Sequence, residues 1–251
     1  MDQITDIGHL SKFSQNLLEL LDRVEYRRVV TPEDMEAVGR LRAQSYSDRS
    51  IFVDGVGEKL VEDLDFDSHA YVFGMFIDED LVSTLRIHHV TPEHRIGNSV
   101  PLFGDIIHPM LDRGLTFIDP SRFATDQIRI KDIPAIPYLT LRIATMASEY
   151  FDVDHCLASC KTEHAAFYKR VFGFNQLGEP RYLSAYRNPA VLCAEDPANR
   201  HDVARRFPVF KSHPYEQRLL FSPVEEGFPA PLSIFPTARY ADAVSRAARW
   251  N

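Results

Sequence analysis

Apolar residues return at helical spacing over residues 11–24, where Phe13, Leu17, Leu20, Leu21 and Val24 recur while Lys12, Gln15, Glu19 and Asp22 lie elsewhere. That pattern predicts an amphipathic helix docked on a larger body. Tyr26 to Val30 alternates as a strand does. Thr31-Pro32-Glu33-Asp34 then supplies an N-cap, a proline at the first helical position and acids in the first turn. A helix from Pro32 to about Tyr46 is predicted, with Arg42 and Tyr46 one turn apart. Ser47–Val56 reads as loop and Glu58–Asp67 as an acidic helix or turn. Ala70–Ile77 and Leu81–Val90 form a hairpin about Asp78-Glu79-Asp80. Thr91–Arg113, with Pro92, Gly97, Pro101, Gly104 and Pro109, reads as a loop over the mouth of a cleft.

Leu139, Ile143, Met146 and Tyr150 mark a helix over Ile136–Phe151, followed by a buried strand, His155–Cys160, and a helix from Thr162 to Phe172 that Gly173 ends. Tyr182–Tyr186 and Ala190–Ala194 are the last predicted strands. This order is an α/β pattern with a mixed sheet. Beyond Glu195 proline becomes frequent, and Ala238–Trp250 reads as a short closing helix. The expected organisation is an N-terminal helical extension over residues 1–25, one α/β domain over 26–194, and a C-terminal extension over 195–251 packed on its core.

The centre of the pattern is Phe117–Asp126, an apolar run that meets an acid, a proline and Ser121-Arg122-Phe123. A strand leaving its ladder there would hold Asp119 and Arg122 in a cleft, or as a surface ion pair. Arg86, inside a strand, needs an anion to offset its desolvation. Asp63, Asp65 and Asp67 could bind a cation or an amine, although a solvated face is the reading their spacing favours.

The 28 basic and 36 acidic side chains give a net charge of −8 without any basic block, which argues against a nucleic-acid partner. Cys156, Cys160 and Cys193 have no metal-type spacing and read as reduced and buried. With neither a signal-peptide pattern nor an apolar run of about 18 residues, no transmembrane segment is expected and the cytoplasm is the expected location.

His164-Ala165-Ala166-Phe167-Tyr168-Lys169-Arg170-Val171-Phe172-Gly173-Phe174, with the element order, resembles the GNAT acyltransferase superfamily, in which a helix with this pattern points its tyrosine at a thioester sulfur. Asp119-Pro120-Ser121-Arg122-Phe123-Ala124 resembles the E-x-S-R-F-A segment of a narrower branch. That branch holds the acyl-homoserine-lactone autoinducer synthases and the N-acyl amino acid synthases of the FeeM type, and the tail from Arg205 to Pro236 looks more like the latter. The resemblance implies a GNAT-like, mostly antiparallel mixed sheet flanked by helices, and transfer of a fatty acyl group to the amine of an amino acid. It implies Asp119, Tyr168 and Arg122 as catalytic residues and Arg42, Tyr46, Asp67, Arg86, Ser121 and Phe123 as substrate-binding ones, with no metal and no tightly bound cofactor. Aspartate stands where the branch has glutamate, and its acid pair spaced by three before the hairpin has no obvious register among Asp63, Asp65 and Asp67.

Backbone N–H groups beyond Asp119 would stabilise the oxyanion, Tyr168 would protonate the leaving thiolate, and Asp119 would bind the ammonium and relay its proton through water. Arg122 or Arg86 would pair with the acceptor carboxylate or fix Asp119. Of the strand neighbours His88 and His89 at most one faces the site, and either reads more simply as a surface histidine. Ile118, Phe123, Leu139, Ile143, Met146 and Phe167 are an apolar slot or plain core. The region Asp126–Pro137 lacks the glycines with which acetyltransferases bind pyrophosphate. Acyl carrier protein (acyl-ACP, a phosphopantetheine thioester) is therefore expected as donor ahead of acyl-CoA, with Arg129, Lys131, Arg142, Lys169 and Arg170 read either as its transient docking site or as scattered surface charge. The alternatives are an autoinducer synthase and a catalytically silent module that binds an acyl chain or its carrier.

Overall fold

The computed structural model describes residues 10–49, 51–54, 57–223 and 233–236. The expected helix over residues 238–250 lies outside them. Ser11 accepts a hydrogen bond from the Ser14 amide to start α1 (Lys12–Leu21), which buries Leu17, Leu18 and Leu21. Strand β1 (Val24–Arg28) follows, beginning at Val24 and not at Tyr26. Thr31 caps α2 (Pro32–Asp48) through the Asp34 amide, and the buried face of this helix carries Val38, Leu41, Arg42, Ser45 and Tyr46.

A 3₁₀ turn, Asp63–Phe66, leads into β2 (Ala70–Ile77) and β3 (Asp80–Val90). Asp78 and Glu79, with φ of 52° and 71°, make the tight turn between these strands. The stretch expected to be a loop holds a helix, α3 (Val100–Asp112), with Pro101 in its first turn and a kink at Phe103. Next come β4 (Phe117–Thr125), a short α4 (Arg129–Asp132), α5 (Ile136–Tyr150), β5 (His155–Lys161) and α6 (Thr162–Phe172), which Gly173 ends at φ 71°. The strand after it is β6 (Asn175–Arg181), not Tyr182–Tyr186, and β7 (Ala190–Ala194) follows. Residues 182–186 make a turn whose Tyr186 forms an isolated antiparallel bridge with Phe52, outside the sheet. The remaining elements are α7 (Arg200–Arg206), α8 (Pro214–Phe221) and a two-residue β8 (Ser233–Ile234).

Among the described residues the strands form one sheet in the order β6-β7-β5-β4-β3-β2-β1-β8. Every pairing is antiparallel except that of β4 with β5. This parallel pair holds together only at Phe117–His155 and Ile118–Cys156. Beyond that point β4 stays with β3 and β5 with β7, so the sheet opens into a V between two strands that run the same way.

Both terminal segments enter the main core. Leu17, Leu18 and Leu21 of α1 share it with Val203, Val209, Phe210, Leu220 and Phe221. A buried ion pair staples the C-terminal segment to α5: Arg142 meets the Glu216 carboxylate and donates to the carbonyls of Val209 (2.7 Å) and Lys211 (2.8 Å). Arg142 is thus wholly internal and is removed from any surface that docks a carrier protein. No helix among the described residues is long and apolar enough to cross a membrane.

Candidate active site

A cavity of about 690 Å³ fills the V. On the β4 side Pro120, Ser121, Arg122 and Phe123 line it, on the β5 side Cys156 to Lys161. Its floor and far wall come from α5 (Leu141, Ala144, Thr145, Ser148) and α6 (Phe167, Tyr168, Phe172), and Tyr46 closes it from α2. The apolar slot expected from sequence is therefore only partly right. Phe123 and Phe167 line the cavity, whereas Ile118, Leu139, Ile143 and Met146 are fully buried core. The lining face of α5 is its smaller-residue face.

The β4 edge of the cavity is irregular. Thr84 pairs with Ala124 and Arg86 with Ser121, so Arg122 and Phe123 together stand opposite Leu85. Arg122 has φ 51°, a backbone conformation that costs a non-glycine residue on the order of 1 kcal/mol and is held here by its surroundings. A bulge of this kind turns backbone N–H groups out of the ladder. Those are the donors an oxyanion needs.

Arg122 and Asp119 do not meet. The Arg122 side chain donates to Glu62, to Oε2 at 2.5 Å, and to the Tyr186 hydroxyl at 3.0 Å. Burial opposes the charge, but the Glu62 carboxylate holds the guanidinium pKa above its ordinary value. Asp119 is fully buried and lies off the cavity lining. It accepts hydrogen bonds from the Ser99 amide (2.7 Å) and hydroxyl (2.6 Å) ahead of α3. Burial pushes its pKa up despite these bonds. The expectation that Asp119 projects into the cleft is thus corrected: β4 aims it at the Gly97–Ser99 loop, where even a Cβ on Gly97 would come within 2.7 Å of its carboxylate.

A charged network backs the bulge. Asp65 accepts from Arg42 Nη1 at 2.9 Å through both oxygens and from Arg86 Nη1 at 3.1 Å, all three side chains being fully buried. Arg86 also donates to Ser121 Oγ (3.0 Å), Glu62 (3.2 Å) and Asn98 (3.4 Å). Burial lowers the Arg42 pKa, opposed by Asp65. Arg42 and Arg86 therefore stand behind the cavity wall and do not line it.

Asp65 corrects the solvated-face reading. Asp67 is also off the cavity. Burial alone would raise its pKa, but bonds from the His69 amide (2.9 Å) and the His94 ring (2.8 Å) hold it below the usual carboxylate value. The carboxylate that sequence reasoning missed is Glu62. A 3₁₀ turn brings positions three apart onto one side, and Glu62 and Asp65, spaced by three, both accept from Arg86.

Tyr168 and Tyr46 lie in the lining as expected, and Tyr46 donates to the Phe123 carbonyl at 3.4 Å, across the bulge. Burial, then the neighbouring cysteines, raise the Tyr168 pKa, so its phenol stays protonated. His88 and His89 face opposite ways, as the strand requires; His88 is fully buried, which corrects the surface reading for it, and His89 is half-buried. Burial, with Arg86 nearby, depresses His88 to about 4, and burial beside His69 does the same to His89, whose ring stacks on Phe151. Cys156 and Cys193 are buried, while Cys160 is partly open to the cavity.

The sequence profile of the N-acyl amino acid synthase FeeM family matches residues 37–196. No curated protein matches the chain. Among solved structures, FeeM, an N-acyl amino acid synthase from uncultured soil microbes, superposes with a TM-score of 0.57 at 18% identity, over 72% of this chain and 94% of that one. An acyl-CoA N-acyltransferase from Pseudomonas aeruginosa gives 0.48 at 16% identity, over 68% and 97%. The CoA-dependent acyl-homoserine lactone synthase BjaI, with S-adenosylmethionine and isopentyl-CoA, gives 0.47 at 16%, over 70% and 83%.

Proposed function

Since this chain belongs to the N-acyl amino acid synthase FeeM family and has the GNAT-like fold of an acyltransferase, we propose that it moves a long fatty acyl group from acyl carrier protein to an amino acid. The observation that carries this reading is the cavity in the V, which lies between Tyr168 and the β4 bulge and has apolar walls on α5 and α6. The reaction takes place in the cytoplasm, where carrier protein and amino acids are both present.

The donor thioester lies between β4 and β5, its carbonyl against the bulge and its sulfur towards Tyr168. The acceptor amine attacks as the neutral base; the C–N bond forms, the C–S bond breaks, and the amine's proton ends on the thiol. An α-amino group near ~8 is about one-tenth neutral at pH 7, enough to react without a strong base. This frees Asp119 from the role of amine binder and leaves it as a positioning residue for Ser99 and the start of α3. Tyr168, its pKa raised, is too weak an acid to release its proton outright. It stabilises the departing sulfur, whose thiol has a pKa near ~8.5, through a hydrogen bond.

The preference for a carrier protein rests on the backbone donors at the cavity rim. The Ile128 and Arg129 amides donate to the Asp126 carboxylate at 2.8 and 3.0 Å. At the start of α5, the Ile136 and Tyr138 amides donate to the carbonyls of Ile133 and Ala135, and Pro137 has no N–H. A pyrophosphate would find these groups engaged and a carboxylate beside them. Carrier-bound phosphopantetheine brings one phosphate and no pyrophosphate.

Purified protein given palmitoyl-carrier protein or palmitoyl-CoA with the standard amino acids tests this by mass spectrometry. An N-palmitoyl amino acid with one equivalent of free thiol, formed faster from the carrier, is expected. No amide from either donor would refute the reading.

A further inference from the structure

Arg49 follows the last turn of α2 and lines the cavity. Its partners are neutral: Nε donates to Gln127 Oε1 at 3.2 Å and Nη2 to Thr125 Oγ1 at 3.1 Å, both at the C-terminal end of β4. Arg122, the other arginine in the lining, has the Glu62 carboxylate. Burial lowers the Arg49 pKa, as happens to a guanidinium taken from water without an anion to replace it.

Two more basic side chains line the same cavity from the neighbouring elements. Lys161 ends β5, and His164 lies in the first turn of α6, one turn before Tyr168 on the same side of the helix. Because β4 and β5 are parallel, their C-terminal ends put Arg49 and Lys161 together at one end of the V. Lys161 and Arg49 both bear electrostatically on His164, whose pKa burial lowers. The facing carboxylate is Glu163, 3.8 Å from Lys161 and 3.7 Å from His164, on a side chain that is 69% exposed. It moderates the cluster without occupying the cavity. In a chain of net charge −8, this gathering of two cations and an imidazole in a mostly apolar lining is local and directed inward.

We propose that Arg49, Lys161 and His164 form an oxyanion-binding subsite at the mouth of the V, which receives the single phosphate of the donor's phosphopantetheine arm. The inference rests on the acyltransferase reading above. It places side chains where backbone N–H groups are already engaged. The acceptor's carboxylate has the same chemistry and is the other source the subsite could serve.

Binding and kinetics separate these. Calorimetry on the whole protein compares a non-reactive palmityl-phosphopantetheine thioether with its dephosphorylated form, for wild type, Arg49→Gln, Lys161→Gln and the double variant. Wild type is expected to favour the phosphorylated ligand by about tenfold or more, the scale of a charge-assisted hydrogen bond. The double variant should bring the two affinities together, and Arg49→Lys should restore part of the difference. A second arm compares the KM of an amino acid with that of its amide. Discrimination lost in the double variant would support the subsite with the acceptor as its source.

If wild type discriminates in neither arm, or if the double variant discriminates as wild type does, the subsite is refuted while the acyltransferase reading stands. If no thioether binds and no product forms, both fall.

Discussion

The two flanks of β4 have opposite character. Towards β3 and the 3₁₀ turn lie Arg42, Asp65, Arg86 and Glu62, joined by charge-assisted bonds of 2.9–3.2 Å and mostly sealed from water. Towards β5 the ladder stops after Ile118, and mostly apolar walls that include Tyr46, Tyr168 and Tyr186, with Arg49 and Lys161 also in the lining, face an open volume. The charged flank ties Asp65 to Arg42 and Arg86 and Glu62 to Arg86 and Arg122, although Arg42 bonds through Nη1 alone, and it backs the bulge. The β5 flank has open volume of the size a thioester and an acyl chain would need. Conspicuous charges thus build the wall of the cavity, and the proposed chemistry uses backbone N–H groups and a phenol.

Substitutions on each flank should behave differently. Asp65→Ala strips a buried carboxylate from two buried arginines and should cost about 3–5 kcal/mol of stability, read from chemical denaturation; a loss under about 1 kcal/mol would show that the network is not what holds the fold. Tyr168→Phe, on the other flank, should leave unfolding nearly unchanged and lower kcat by roughly tenfold to a hundredfold, the scale of one hydrogen bond to a charged sulfur. An unfolding shift without a rate effect would reverse the assignment.

Asp119→Asn sharpens the contrast. It weakens one of the two bonds from Ser99 and should cost about 1–3 kcal/mol, with turnover falling less than for Tyr168→Phe. Complete loss of turnover in a stably folded Asp119→Asn protein would return that carboxylate to the chemistry. The smallest effect concerns acid. Burial opposes ionisation of Glu62, but Arg122 and Arg86 hold its pKa below the ordinary 4.5. Its contribution to stability is complete above pH 4.5 and is lost as pH falls through the lower folded value. Glu62→Gln should flatten that part of the pH–stability curve, and an unchanged slope would show that the pairing is too exposed to matter.

Much of the frame was legible because its signals are local. Thr31-Pro32, Gly173 and the apolar spacing of α5 mark helix ends and one helix face without help from the fold. α3 was hidden by prolines, although Pro101 sits in the first turn, where a missing N–H costs nothing. β6 was hidden because Gly178 and Pro180 interrupt an edge strand that is mostly exposed and need not alternate. In the site, Tyr168 and the irregular strand after Asp119 could be read from motif and composition. Glu62 could not, because its role depends on a 3₁₀ turn that aligns it with Asp65. The lining face of α5 was missed for a related reason: Ala144, Thr145 and Ser148 are small, and a cavity is marked by what the side chains leave empty.

The most direct measurement fills that empty space. Ala144→Phe, on the α5 wall, is compared with wild type for turnover of carrier-bound acyl chains of increasing length, with melting temperature as the folding control. If the V holds the acyl chain, the longest accepted chain should become shorter while short-chain turnover persists. A length profile identical to wild type in a folded variant would place the acyl group elsewhere and contradict the account.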